Sequence, residues 1–263
     1  MKVSIITVCY NAVHTIEETL LSVQGQTYRD VEHIVIDGAS TDSTLDVLKK
    51  HQSQIDILIS ENDKGIYDAM NKGVQLASGD VIGFLNADDM FANQNVIKTM
   101  VDAFTAVQSD IVYGDLIYFK RTENQDKRVR YFKCSPFKPG LFAKGWCPPH
   151  PTFYAKKAVY EHLGGFDLNL KMGNDIELMM RFLEKNKISS HYIPQILVNM
   201  RVGGISNQSL KNIWLQNKMI LSAAKQLEIP IATLPFIIYK IIDRTSQYFR
   251  KPPSKYSSEE GML

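Results

Sequence analysis

Between residues 3 and 107, short β-branched apolar runs alternate with segments of helical period. A buried strand over 3–8 leads into a helix in which Thr15 and Glu18 form a capping box and Ile16, Thr19, Leu20 and Val23 mark one face. A second strand over 33–36 precedes a helix begun by Asp42 or Ser43 and carrying Leu45, Val47 and Leu48. A third strand over 55–59 and a fourth over 81–85 are followed by helices over 66–77 and 96–107. Strands separated by helices of this length imply right-handed βαβ crossovers. The expected fold is therefore α/β, with a mostly parallel central sheet and flanking helices.

Composition narrows the function classes. The 263 residues are 44% hydrophobic and 22% charged, which excludes collagen-like, disordered and small disulfide-scaffold chains. Thirty basic residues against 28 acidic ones leave a net charge of +2, which offers no basis for nucleic-acid binding. Cys9, Cys134 and Cys147 form neither a CxxC pair nor an even framework, so a reducing compartment is expected. The opening MKVSIITVCYNAV is β-branched, lacks an A-x-A cleavage site and runs directly into Glu17-Glu18, so it reads as a core strand rather than a signal peptide. No window approaches the ~18 apolar residues of a membrane span. The expected location is cytoplasmic, with peripheral contact at the cytoplasmic membrane.

In open α/β sheets the ligand crevice lies beyond the carboxyl ends of the strands. Here those ends read Cys9-Tyr10-Asn11, Asp37-Gly38, Glu61-Asn62-Asp63 and Asn86-Ala87-Asp88-Asp89, so three of the four carry carboxylates. Capping explains Asp42, but the adjacent Asp88 and Asp89 repel each other, and a hard divalent cation would offset that repulsion. Neither GxGxxG nor GxxxxGK[ST] is present. A metal–diphosphate substrate fits this rim better than direct cradling of phosphate by glycines.

These residues resemble the inverting family 2 glycosyltransferases with the GT-A fold. The likeness runs over about residues 1–205, through SIITVCYN at 4–11, IVIDGASTDST at 34–44, SENDKGIYDAMNKG at 60–73, ASGDVIGFLNADD at 77–89, LGGFD at 163–167 and NDIEL at 174–178. The GIYDAMNKG segment and Gly203-Gly204-Ile205-Ser206 are most similar to bacterial enzymes that build exopolysaccharide or lipid-linked repeat units. The resemblance implies a sugar transferred from a nucleoside diphosphate, most commonly UDP, to a saccharide or lipid-linked hydroxyl with inversion and with Mg²⁺ or Mn²⁺. Tyr10 and the backbone around Thr7 would line the nucleotide pocket, and Asp37 would accept from the base or ribose. Asp63 and Asn71 fall in the segment that covers the nucleotide.

Asn86-Ala87-Asp88-Asp89 stands where the family carries DxD, with Asn86 in place of the first Asp. Asp88 would then be a metal ligand, and Asp89 either a second ligand or its orienting partner. Asp175 takes the position of the general base, with Asn174 replacing the preceding Glu, while Glu177 reads as structural. A carboxylate suffices because an oxocarbenium-like transition state lets deprotonation come late. The proline-rich loop with Trp146 could stack a sugar face, and His150 would touch the diphosphate or acceptor, or else simply pack.

Expected domains are 1–206, made of a nucleotide-binding half (1–110) and an acceptor half (111–206), followed by helices over 207–250 and a disordered tail over 251–263. Lys120 to Arg130 reads as a solvated hairpin tip. In the helix over 234–249, Leu234, Ile237, Ile238, Ile241, Tyr248 and Phe249 share one face, and Lys240, Asp243, Arg244 and Gln247 the other. Such a helix either lies on an anionic membrane or packs on the catalytic domain. A nucleotidylyltransferase would open with a Gly-rich, Arg-containing loop, which Tyr10–His14 is not. A non-catalytic sugar-nucleotide-binding or scaffold protein is the remaining alternative.

Overall fold

The computed structural model describes residues 1–122, 126–202 and 210–252. The Gly203–Ser206 segment and most of the expected tail lie outside the described residues. The first half follows the alternation: β1 (Val3–Cys9), α1 (Ile16–Gln24), β2 (Val31–Asp37), α2 (Thr44–Lys50), β3 (Ile57–Ser60), α3 (Ile66–Leu76), β4 (Val81–Phe84), β5 (Asp89–Phe91) and α4 (Val96–Val107). β1 pairs in parallel with β2 and β4, and β2 with β3. All seven β1 residues are buried, as a strand covered on both faces requires. The register sets Cys9 beside Asp37 and Asp37 beside Ser60, so the carboxyl ends of three strands share one rim.

The second half adds β6 (Ile111–Arg121), β7 (Asp126–Phe132), β8 (Tyr154–Lys156), α5 (Lys157–Leu163), α6 (Asn174–Met179) and β9 (Ser190–Arg201). The nine-stranded sheet runs β3-β2-β1-β4-β8-β6-β9-β5, with β7 beside β6. Here β8 pairs antiparallel to both β4 and β6, while β6 and β9 are parallel. β5, which the periodicity does not predict, returns antiparallel to β9 and sets Asp89 opposite Met200. The two main apolar clusters sit on opposite faces of this sheet, one around Ile6, Ile34, Phe84 and Phe166 and the other around Ile5, Val81, Tyr154 and Leu197.

Two local expectations change. The capping box does not form: Thr15 makes no side-chain cap bond, and the helix entry is closed by the Thr15 and Ile16 amides donating to Ala12 O. Glu18 instead pairs with Arg121 and with Arg201. The β6–β7 hairpin exists, but Arg130 is not solvated: its guanidinium lies 3.6 Å from the Tyr118 ring centroid and donates to Gln247. The helix α7 (Leu210–Gln226) is followed by α8 (Thr233–Phe249), which packs on β7 and the turn Phe142–Lys144. Its Phe236, Lys240 and Gln247 point inward, so α8 packs on the catalytic domain through the face that carries Lys240 and Gln247. Among the described residues no helix is long and apolar enough to cross a membrane.

Candidate active site

The ends of β1, β2 and β3 bring Tyr10, Asp37, Gly38 and Asp63 together. Tyr10 is 62% exposed, as a residue awaiting a planar ligand would be. Gly38 lies close to both Asp63 and Tyr10, since a Cβ there would fall 2.5 Å from Asp63 Oδ2 and 3.5 Å from Tyr10 Cδ2, so the Asp63 carboxylate would have to shift to admit one. Asp63 Oδ1 accepts from the Gly65 amide at 2.7 Å and so fixes the entry to α3. Asp37 is fully buried and accepts from Ser60 Oγ (2.7 Å), the Ser40 hydroxyl (2.5 Å) and the Ser40 amide (3.1 Å). A nucleotide donor group would therefore compete with a serine for this carboxylate. Asn11, in a left-handed conformation at φ 51°, holds the facing 40–42 loop by accepting from the Thr41 and Asp42 amides.

Two residues expected at the nucleotide are otherwise engaged. Thr7 is buried within β1 and its hydroxyl bonds His33 Nε2 at 3.0 Å, so its side chain is not free to reach a ligand. Burial pushes His33 down to about 4, which leaves the imidazole neutral. Asn71 donates to Phe166 O (2.9 Å) and accepts from the Phe166 amide (2.8 Å). Its amide ties α3 to the 165–167 loop.

The turn after β4 holds the acidic pair. Asp89 is fully buried; its carboxylate accepts from the Arg201 amide (3.3 Å) and Asn86 Nδ2 (3.4 Å), and Thr19 bonds its carbonyl. Asp88 is half-buried. Burial raises Asp88, and burial together with repulsion from Asp88 raises Asp89 well above the carboxylate range, against the opposing charge of Arg201. Asn86 Oδ1 is buried without a partner among the described residues. Two carboxylates short of positive charge, beside an orphaned amide oxygen, are the donor chemistry of a hard divalent cation. Of the pair, Asp88 is the residue open to a ligand, and Asp89 stands behind it. Among the described residues no group of three or more His, Cys, Asp or Glu side chains is placed to hold a metal ion.

Asp175 lies in the first turn of α6, entered through Gly173 at φ 78°. Its Oδ1 accepts from Tyr67 OH at 3.4 Å. Tyr67 and Asn71, four residues apart, occupy one face of α3 and both reach toward the 165–175 segment. Asn174 is buried and donates to the Asp167 and Leu170 carbonyls, which holds the approach to α6. Glu177 pairs with Arg181 at 2.8 Å, a structural role. His150 packs against Phe84 and Phe166, with ring centroids at 5.2 and 5.7 Å. Burial pushes its pKa down, against the pull of Asp175, and its Nε2 has no partner among the described residues. Trp146 is no open stacking platform, being enclosed by Tyr113, Phe137 and Phe142 at 5.4–6.0 Å.

The fold and this rim define a GT-A glycosyltransferase. The family model for glycosyl transferase family 2 matches residues 4–164, and the chain belongs to that family. It is 30% identical over 210 residues to a PGL/p-HBAD biosynthesis glycosyltransferase of Mycobacterium bovis, covering 78% of each chain. Among solved structures it is similar to Staphylococcus aureus TarS in complex with UDP-GlcNAc, with a TM-score of 0.67 at 17% identity over 97% of this chain and 75% of that one. The mannosyltransferase of Pyrobaculum calidifontis in complex with GDP-Man and Mn²⁺ matches with a TM-score of 0.59 at 17% identity, over 99% and 84%.

Proposed function

We propose that this glycosyltransferase moves a sugar from a nucleoside-diphosphate sugar, UDP-linked in the first instance, to a saccharide or lipid-linked hydroxyl with inversion at the anomeric carbon. The observation that carries the proposal is the undercompensated Asp88–Asp89 pair with the orphaned Asn86 Oδ1, on the same rim as Tyr10 and Asp37. Tyr10 would stack on the base, Asp37 would accept from its N–H or from the ribose, and Thr7 would contribute backbone only. A divalent cation, Mg²⁺ or Mn²⁺, held by Asp88 with Asn86 Oδ1 alongside and Asp89 behind, would neutralise charge on the departing diphosphate.

Asp175 is the general base of the proposal. It would take the acceptor hydroxyl proton as the new C–O bond forms on the face opposite the leaving nucleoside diphosphate, which inverts that centre. Tyr67 would fix the orientation of the carboxylate. His150, neutral and with Nε2 unpartnered, would bond the acceptor or the diphosphate. The TarS complex with UDP-GlcNAc supports a UDP-sugar donor, the GDP-Man complex keeps guanine as the comparison arm, and the PGL/p-HBAD relative supports a role in polysaccharide or glycolipid biosynthesis.

Thermal-shift titration with UDP-GlcNAc, UDP-glucose, GDP-mannose and dTDP-glucose, each with and without Mn²⁺, tests the donor. A ligand at 100 times its dissociation constant stabilises by about 2.7 kcal/mol. Stabilisation by one nucleotide class, and only with the cation, is expected. No shift with any of them would sink the donor assignment.

A further inference from the structure

α8 packs through its polar side and leaves its apolar side exposed. Its inward side carries Lys240, which donates to Asn217 at 2.7 Å, and Gln247, which accepts from Arg130, with Phe236 as the buried apolar contact. Its outward side carries Leu234, Ile238, Ile241, Ile242, Tyr248 and Phe249. These recur at helical spacing along one stripe, from Leu234 at 69% exposed to Phe249 at 81%. At 1.5 Å per residue, the 17-residue helix presents a strip about 25 Å long. Single exposed apolar residues need no explanation, but a continuous strip marks an interaction surface.

Charge says what kind of partner fits. Residues 126–144, which include the two elements beneath α8, carry six basic and one acidic side chain, and residues 233–252 carry four and one. Both acids are neutralised within the chain, Asp126 by Arg121 and Asp243 by Arg250. Lys133 just after β7, Lys144 in the 142–144 turn and Lys251 just after α8 are exposed. With Arg130 and Lys240 turned inward beneath α8 and Arg250 paired with Asp243, the remaining basic side chains of these two segments still outnumber their acids, in a chain of net charge only +2. A second copy docking through the same face would bring two basic surfaces together, which opposes association. An anionic lipid surface satisfies both features at once, taking the apolar strip at the acyl boundary and the lysines at the headgroups.

We propose that α8 docks this enzyme in the plane of an anionic membrane and so serves its active site with a lipid-linked acceptor. The placement of the site supports the second part. Phe236 and Lys240 from the underside of α8 line one small cavity with Trp146, Cys147 and Ile176, and Ile176 directly follows Asp175. With α8 lying on lipid, the Asp175 side of the site sits about one helix diameter, ~10 Å, above the surface. Delivery of a lipid-linked hydroxyl to Asp175 rests on the base assignment above, whereas docking does not.

The test is co-sedimentation of the full chain with phosphatidylcholine vesicles, with and without phosphatidylglycerol, for the parent and the triple variant I238S/I242S/F249S. None of the three residues touches the active site, and all are exposed, so the fold is expected to persist, as circular dichroism and the melting temperature will show. The parent should bind the anionic vesicles, bind neutral ones at least tenfold less, and be released in 1 M salt, where the Debye length falls to ~3 Å. The triple variant should bind anionic vesicles at least tenfold less than the parent. Equal binding of parent and variant, or none by either, would overturn docking through α8. So would a dimer in sedimentation velocity that the triple variant abolishes, since a second copy would then cover the strip. Nucleotide-sugar binding is measured separately, so its failure leaves the docking result intact.

Discussion

Asp88 and Asp175 are both half-buried carboxylates, yet their neighbours fit them for different tasks. Asp88 shares its turn with a second carboxylate, and among the described residues Arg201 is the cation that offsets the charge. Asp175 has a hydroxyl donor in Tyr67, and the buried ammonium of Lys240 lies within electrostatic reach. Asp88→Ala should therefore abolish the cation dependence of donor binding, read by calorimetry with and without Mn²⁺. Donor binding that stays normal and still requires the cation would reassign the ligand. Asp175→Asn should leave donor affinity within a few-fold and lower transfer by about 10²-fold or more, the usual scale for loss of a general base. Near-parental turnover would move the base elsewhere. Both carboxylates were legible in the sequence because strand ends and motif spacing mark them. Arg201 and Tyr67 were not, since they lie 112 and 108 residues from the carboxylates they meet, and no local pattern encodes such pairings. The side-chain partners of Thr7 and Asn71 were not legible for the same reason: they lie 26 and 95 residues away.

At the scale of elements, the alternation in the first half gave strands and helices close to their observed bounds, because fully buried parallel strands leave long apolar runs in sequence. The short strands β5 and β8 escaped, since three residues carry no period to detect. The orientation of α8 escaped because periodicity finds two faces without saying which one packs. Asn71 offers a test of how α3 is held. Asn71→Ala would strand the amide and carbonyl of Phe166, and should cost about 1–3 kcal/mol in urea unfolding. A loss of donor affinity without loss of stability would restore its expected place at the nucleotide. Glu32 on β2 offers a pH test. Burial alone would raise this carboxyl, but donation from Lys2, Ser4 and Ser78 outweighs it and holds the pKa at about 2. A folded-state pKa below the unfolded value of ~4.3 gives stability that is fully present above that value and lost as pH falls toward 2. Glu32→Gln should destabilise by roughly 2 kcal/mol at pH 7 and by much less at pH 2. A penalty independent of pH would show that the charge of Glu32 does not matter.

For the whole molecule, the joint between the parallel and mixed halves of the sheet decides whether Asp88 and Asp175 can serve one reaction. Asp88 follows β4, whereas Asp175 belongs to the second half, and the sheet crosses from β4 to β6 only through the three-residue strand β8. The seam has just two paired positions on the β4 side, Val81 with Lys156 and Ile82 with Ala155. It is tight because Gly83 has no side chain: a Cβ there would lie 1.8 Å from Cε1 of Tyr154, a ring that is itself fully buried. The ring has no open space to move into, so the overpacking must be taken up by displacing β8 from β4. Gly83→Ala should therefore destabilise by about 3 kcal/mol, at the upper end for one added methyl group in a packed core. Activity should fall along with stability, since any shift of β8 also moves the carboxylate of one half relative to the other. Reducing the ring should relieve the clash, so Gly83→Ala combined with Tyr154→Leu should unfold at a higher urea concentration than the sum of the two single losses requires, by at least about 1 kcal/mol of coupling. Strict additivity of the two substitutions would mean that the seam is not packed through this contact, and that the halves are held in register by the pairing of β5 with β9 instead.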